Sequence, residues 1–533
     1  MKCFRLIALS VLLSLAACSG VEEPQAPANT LERGLPIDPE TLDQHKARST
    51  QAAEVLRDLG EGLTGYSATG ELVPAGAESW EISGDGLTYT FHLREEARWS
   101  NGEPVTAQDF IAGMRRLVNP ATAGVYAEML IDLENAGGIV SGDIPVSMLG
   151  VDAPDDYTLV LRLVQPTPYL LGLLSHPSTF PVNRGALEEH GDLFARPGRL
   201  VSNGAYQLDA WVPGSIVSLR RNEHYWNNAG TAIDAVNYHV VVQDRSELNR
   251  YRAGELHITS TVPADSFTQV RDEYGSQLRV APYLAVYYFG FNLNKEPFRD
   301  NLALREALSM AIDREELTGN VLGRGETAAY SWVPPGVNNY ASAQMGFVAL
   351  DKEERERLDR ARYKEAGYGE DRPLRVEILY NTVDQHRKIA VAVLAMWREV
   401  LGVEATLVNE EFQVLLANIR EAEITQVFRI SWTGDYNDAN TFLSVLQDGS
   451  PANMPRYASE RYDDLLARAA SHVDPARRRL YLEEAERVML SDHPVIPLYF
   501  YVSKHLVSPE VLGWGDNVLD YHYSQHLSLS APD

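Results

Sequence analysis

The sequence predicts an α/β fold built from more than one lobe, and three observations carry that reading. At 533 residues the chain exceeds what one hydrophobic core organises. Helical and strand periodicities both occur, in an order too irregular for a repeating βαβ rhythm. Hydrophobic residues make up 45 % and charged residues 23 %, the balance of a folded soluble protein.

Individual elements follow from local pattern. Thr88-Tyr89-Thr90-Phe91-His92-Leu93-Arg94 alternates apolar and polar residues and predicts a half-buried strand, entered by a turn at Asp85-Gly86. Val236 to Val242 is likewise strand-like. Asn101-Gly102 marks a second turn, and Thr106 to Asp109 forms a capping box that opens a helix through Phe110 and Met114. The spacing of Leu304, Leu308 and Ile312 predicts a helix over 304–317. His386 to Leu401 predicts another, stopped by Gly402. Asp474-Pro475 places an N-cap and an N1 proline before a third, running through Leu490.

The N-terminus reads as a targeting segment. Lys2 and Arg5 precede an apolar run, Leu6 to Leu15, that is too short to span a bilayer. The run ends in Leu15-Ala16-Ala17-Cys18, which resembles a bacterial lipobox; the resemblance implies a signal peptide over 1–17 and acylation of Cys18. Residues 18–30 are polar and rich in Pro and Ala, as in a flexible tether. Cys3 and Cys18 are the only cysteines, so the remaining chain has no disulfide, thiol nucleophile or cysteine metal site. A formal charge of -27 argues against nucleic acid and anionic lipid surfaces as partners.

Catalytic signatures are missing: there is no Gly-x-Ser-x-Gly elbow, no His-Glu-x-x-His and no phosphate loop. The 13 histidines are dispersed. The nearest approach to metal-ligand spacing, His522 and His526, lacks companion Cys or clustered acids, so neither a metal nor another cofactor is expected.

The chain becomes distinctive at Glu71-Leu72-Val73-Pro74, Asp85-Gly86-Leu87-Thr88-Tyr89-Thr90-Phe91 and Trp99-Ser100-Asn101-Gly102-Glu103-Pro104-Val105-Thr106. Ser202-Asn203-Gly204-Ala205-Tyr206 with Arg221 to Trp226 follows, then Tyr288 to Asn292 with Pro297-Phe298-Arg299-Asp300. Val333-Pro334-Pro335-Gly336 and Trp432-Thr433-Gly434-Asp435-Tyr436 complete the order. Together these blocks resemble the oligopeptide/dipeptide/nickel class of ABC-importer binding proteins, the OppA-like, family 5 solute-binding proteins, over roughly residues 31 to 530. The resemblance implies a two-lobed periplasmic-binding-protein fold of class II (cluster C), with a hinge and an extra domain. The expected division is lobe I from 31–60, 189–283 and 506–533, an extra domain II over 61–188, and lobe III over 284–505. It also implies a non-enzymatic, monomeric protein in the periplasm or on the cell surface, held to the membrane by its lipid. Its partners would be short peptides and the permease and ATPase of an ABC importer.

A receptor for many peptides must hold what all peptides share: an ammonium, a backbone and a carboxylate. A buried ammonium demands a carboxylate partner. The resemblance assigns that role to Asp435, after Trp432, with Asp438 as a local competitor. It assigns the peptide carboxylate to Arg429 for short ligands and His386 for a slightly longer one, and adds Arg420 and Tyr126 to the site. Three departures, Thr433, Gln44 and Arg48, bear on peptide length and side-chain preference. The alternatives are a murein peptide, a nickel chelate or another non-peptide solute, or a surface hydrolase.

Overall fold

The computed structural model describes residues 29–421 and 426–530. The targeting segment and Cys18 lie outside the described residues. No helix among the described residues is long and apolar enough to cross a membrane.

Three sheets organise the chain. In the first lobe, Thr30–Leu35 runs parallel to Ala235–Val240, which continues antiparallel into Ile216–Arg221 and Tyr206–Val212. The extra domain is built on Ala77–Ile82, Thr88–Leu93, Thr158–Arg162 and Val151–Asp155, all antiparallel. The second lobe holds a six-stranded mixed sheet in the order Thr327–Ala328, Val495–Leu506, Leu278–Phe291, Val427–Thr433, Arg375–Asn381, Glu404–Glu410. Its central strand is covered on both faces. Val286 and Tyr288 enter one core, while Tyr287, Phe289 and Phe291 enter the other. Double burial explains why this segment is a continuous apolar run without alternation.

Leu278–Phe291 and Val495–Leu506 join the lobes. Their paired ends at Leu278 and Leu506 pack with Leu248, Tyr251 and Phe267 on the first-lobe side, whereas Gly290 pairs with Val495 inside the second lobe. The ladder shifts register between Pro282 and Val286, where the strands pass from one body to the other. Such an irregularity bends and twists a strand pair locally, and suits a hinge.

The predicted elements are present, with one difference. The strands are Thr88–Leu93 and Ala235–Val240, the capped helix is Ala107–Val118, and the long helix Asp384–Leu401 ends at Gly402 with φ 72°. Asp474 caps Pro475–Asp492. The helix expected over 304–317 instead stops at Met310. The Asp313 side chain accepts from Glu316 N at 3.0 Å and starts a new turn, a local hydrogen bond that competes with helix continuation. Arg314 then points inward, its guanidinium donating to Ser309 O and Pro497 O at 3.0 and 2.8 Å.

A buried carboxylate stabilises the second lobe where it meets the cleft. Glu486 Oε1 accepts from Trp332 N and Val333 N at 2.9 and 2.8 Å, and Oε2 from Tyr340 Oη and Ala343 N at 2.8 and 2.7 Å. Trp332 Nε1 in turn donates to Phe442 O at 2.7 Å, which steadies the turn after Thr433. Replacing Glu486 with Ala leaves these donors buried without an acceptor, so Glu486→Ala is expected to destabilise the protein by about 4 kcal/mol. Urea unfolding followed by tryptophan fluorescence checks this, and a loss under ~1 kcal/mol, the size of one ordinary hydrogen bond, would contradict it.

Candidate functional site

A cavity of about 240 Å³ lies between the lobes and the extra domain, walled by segments far apart in sequence. Asp435 and Tyr126 both line it, together with Arg48, Gln44 and Thr433. Asp435 follows the strand Val427–Thr433. Its turn is fixed by Gly434 N donating to Leu284 O at 2.7 Å and by Asp435 N donating to Thr441 Oγ1 at 3.2 Å. Gly434 fits because a Cβ there would stand 3.0 Å from Phe442 and Thr441 side-chain atoms.

The Asp435 carboxylate accepts no hydrogen bond and forms no ion pair among the described residues, and it is exposed on the wall of the cavity. Burial, and secondly the Glu128 carboxylate, push its pKa up to about 6. Asp438, the competitor, is already satisfied: Arg478 binds both its oxygens at 2.7 and 2.8 Å. Two neighbouring carboxylates therefore differ in kind. One is closed by a bidentate arginine, and the other awaits a cation.

Arg429 and His386 form a second cluster, outside the lining of this cavity. Arg429 is buried, with no carboxylate paired to it among the described residues. It donates to Asn381 Oδ1 at 3.0 Å, lies over the Tyr287 ring at 4.7 Å, and its Nε has no partner. His386 packs against Tyr287, and its Nδ1 is also unpartnered. Burial and the Arg429 charge push His386 down to about 3, so it acts as a neutral donor or acceptor rather than a cation. Trp432 packs against the second-lobe core with its Nε1 unpartnered. Arg420 stands apart, exposed on Phe412–Glu421, and its backbone oxygen accepts from Arg456.

Strand geometry connects the two clusters. Side chains at i and i+2 share a face, so Arg429, Ser431 and Thr433 point the same way and lead to Asp435. Arg429 to Thr433 spans about 13 Å at the usual strand rise. Sequence reasoning missed Glu128, which acts on Asp435 from the extra domain, and Arg57, whose guanidinium lies 3.5 Å from the Tyr521 ring centroid on the cavity wall. Neither belongs to a motif, because both reach the site only through the fold. It also paired His522 with His526. His526 Nε2 instead meets Tyr66 O at 3.1 Å, and His522 turns to Asp520.

Residues 71–454 match the family described as bacterial extracellular solute-binding proteins, family 5 Middle. The chain belongs to this family. It is 36 % identical over 535 residues to the periplasmic oligopeptide-binding protein OppA of Escherichia coli, covering 98 % of both chains. It is also 36 % identical to the probable deoxycholate-binding periplasmic protein YgiS of the same organism, over 95 % of both. Among solved structures, the unliganded open form of the murein tripeptide-binding protein MppA superposes with a TM-score of 0.85 at 34 % identity, over 94 % of this chain and 99 % of that one. A second structure of MppA, from Escherichia coli, gives 0.78 at the same identity, covering 94 % and 98 %. Of these two structures, the unliganded open form superposes more closely on this family 5 protein.

The carboxylate geometry sets a pH dependence. Below about pH 6 the free Asp435 is protonated and cannot pair with a cation, whereas a bound ammonium holds it ionised. Affinity for an ammonium-bearing ligand is therefore expected to be level above that pH and to fall up to tenfold per unit below it. Calorimetry from pH 4.5 to 8 on wild type and Asp435→Asn checks this; a wild-type profile as flat as the variant's would refute it.

Proposed function

We propose that this protein captures short peptides outside the cytoplasm and delivers them to an ABC importer, enclosing each peptide between its lobes. The observation that carries the reading is the pairing of opposite vacancies along one strand face. Asp435 is a carboxylate without a cation, and Arg429 is a buried cation without a carboxylate. A peptide of three residues extends about 10 Å, commensurate with that face. Its ammonium meets Asp435, its carboxylate meets Arg429, and a longer ligand reaches toward His386. Tyr126 and Trp432 contribute wall, and Arg420 lies too far out to join without movement. OppA and MppA, named for oligopeptides and a murein tripeptide, support the reading. A bile acid such as deoxycholate carries a carboxylate but no ammonium, and would leave Asp435 facing the cleft unpaired. The expected lobe boundaries, the single-chain working state and the lipid anchor at Cys18 belong to the same proposal. Family 5 members are binding proteins, which supports the non-enzymatic reading.

Three measurements test it. N-acetylating a tripeptide removes the cation and should weaken binding at least thirtyfold, since breaking one side of a buried pair costs roughly 2–5 kcal/mol and each ~1.4 kcal/mol is tenfold. Asp435→Asn should do the same to the free peptide, and the two changes together should add little. Full additivity would place the ammonium elsewhere. Small-angle scattering should show a smaller radius of gyration at peptide saturation, and an unchanged radius would argue against closure. Cys18→Ser should move the protein from the membrane fraction to the soluble extract; retention in the membrane would reject the lipobox.

A further inference from the structure

The cavity holds a second group of side chains with a different chemistry. His505 lies on Val495–Leu506, while Asp520 and His522 lie on the C-terminal segment that returns past it. His505 Nε2 and His522 Nε2 both approach Asp520 Oδ1, at 2.9 and 3.0 Å, and one ligand atom from each of the three lies within 4.8 Å of the others. Two imidazoles and one carboxylate are a ligand set for zinc and similar borderline divalent ions.

The supports of the group are those of a metal site. His505 Nδ1 faces the Thr259 carbonyl at 2.8 Å, the outer contact that orients a ligating imidazole and leaves Nε2 for the ion. The Trp514 ring stacks on His522 at 3.6 Å between centroids and fixes its plane. Asp520 stands at φ 57°, in the left-handed region, in a turn held by Asn517 Oδ1, which accepts from Leu519 N and Tyr521 N at 3.2 Å each. Tetrahedral ligands about 2.0–2.2 Å from a zinc ion stand roughly 3.3 Å apart, and the two separations to Asp520, 2.9 and 3.0 Å, lie within a few tenths of an ångström of that value. Arg33, which also lines the cavity, is paired with Glu54 at 2.8 Å.

We infer that His505, Asp520 and His522 bind one divalent transition-metal ion of the zinc class, with its fourth position open to the cavity. Three protein ligands and one open position are the arrangement of sites where the ion meets a solute or water. The site needs no peptide, so it stands or falls separately from the peptide reading.

The test uses the complete secreted chain, stripped with chelator and free of peptide. Titration with Zn²⁺ should show one equivalent bound at micromolar Kd or tighter, and Co²⁺ in its place should give the intense visible bands of a four-coordinate site. His522→Gln and Asp520→Asn should each weaken Zn²⁺ at least thirtyfold, with circular dichroism confirming that both are folded. Wild type that binds no Zn²⁺ saturably, or Co²⁺ that stays pale and octahedral, overturns the inference without recourse to any variant. Zn²⁺ uptake equal to wild type in His505→Gln/His522→Gln does so as well.

Discussion

The pairing of Leu278–Phe291 with Val495–Leu506 is the constraint from which the rest of the molecule follows. These two strands are at once the middle of the second-lobe sheet and its link to the first lobe. Their hydrogen-bonded ladder cannot lengthen, so the lobes can rotate about it but cannot drift apart. Val427–Thr433 joins the ladder directly, Val286 opposite Trp432 and Ala285 opposite Thr433. That register delivers Asp435 to the mouth of the cleft. The other strand of the pair carries His505 out to the first-lobe side. A change in the register shift near Pro282 would move both groups together.

Burial without satisfaction separates working polar groups from structural ones. Glu486, Arg314 and Asp438 are buried or partly buried, and each is met by several partners. Arg429 is withdrawn from bulk water, Asp435 is open to the cavity, and neither has an opposite charge beside it among the described residues. An uncompensated buried charge raises the free energy of the protein that carries it. The raised pKa of Asp435 and the lowered pKa of His386 are two expressions of this incompleteness.

The fold class, the helix ends and most strands were legible in the sequence because their causes are local. Gly402 turns left-handed, Asp474 caps, and Thr88–Leu93 alternates. The break after Met310 was only half legible: Asp313 capping a new turn is local, but Arg314 finding carbonyls that include Pro497 depends on a segment far along the chain. The site divides in the same way. Asp435, Arg429 and Trp432 share one strand and its following turn, so a single motif reveals them. Glu128, Arg57 and the grouping of His505 with His522 arise only when distant segments meet, and periodicity holds no record of that.

Tyr436, next to Asp435, stacks on Tyr169 of the extra domain with ring centroids 5.1 Å apart. Asp435 is thus covalently adjacent to a residue that touches the opposite wall, and any repositioning of the turn is felt across the cleft. For an engineer this makes the ring pair a natural reporting position. Apart from the N-terminal Cys3 and Cys18 the chain has no thiol, so a single cysteine beside Tyr169 would accept a dye without competing labels. Its emission would then read out occupancy, turning a transport receptor into an optical sensor for its own solute.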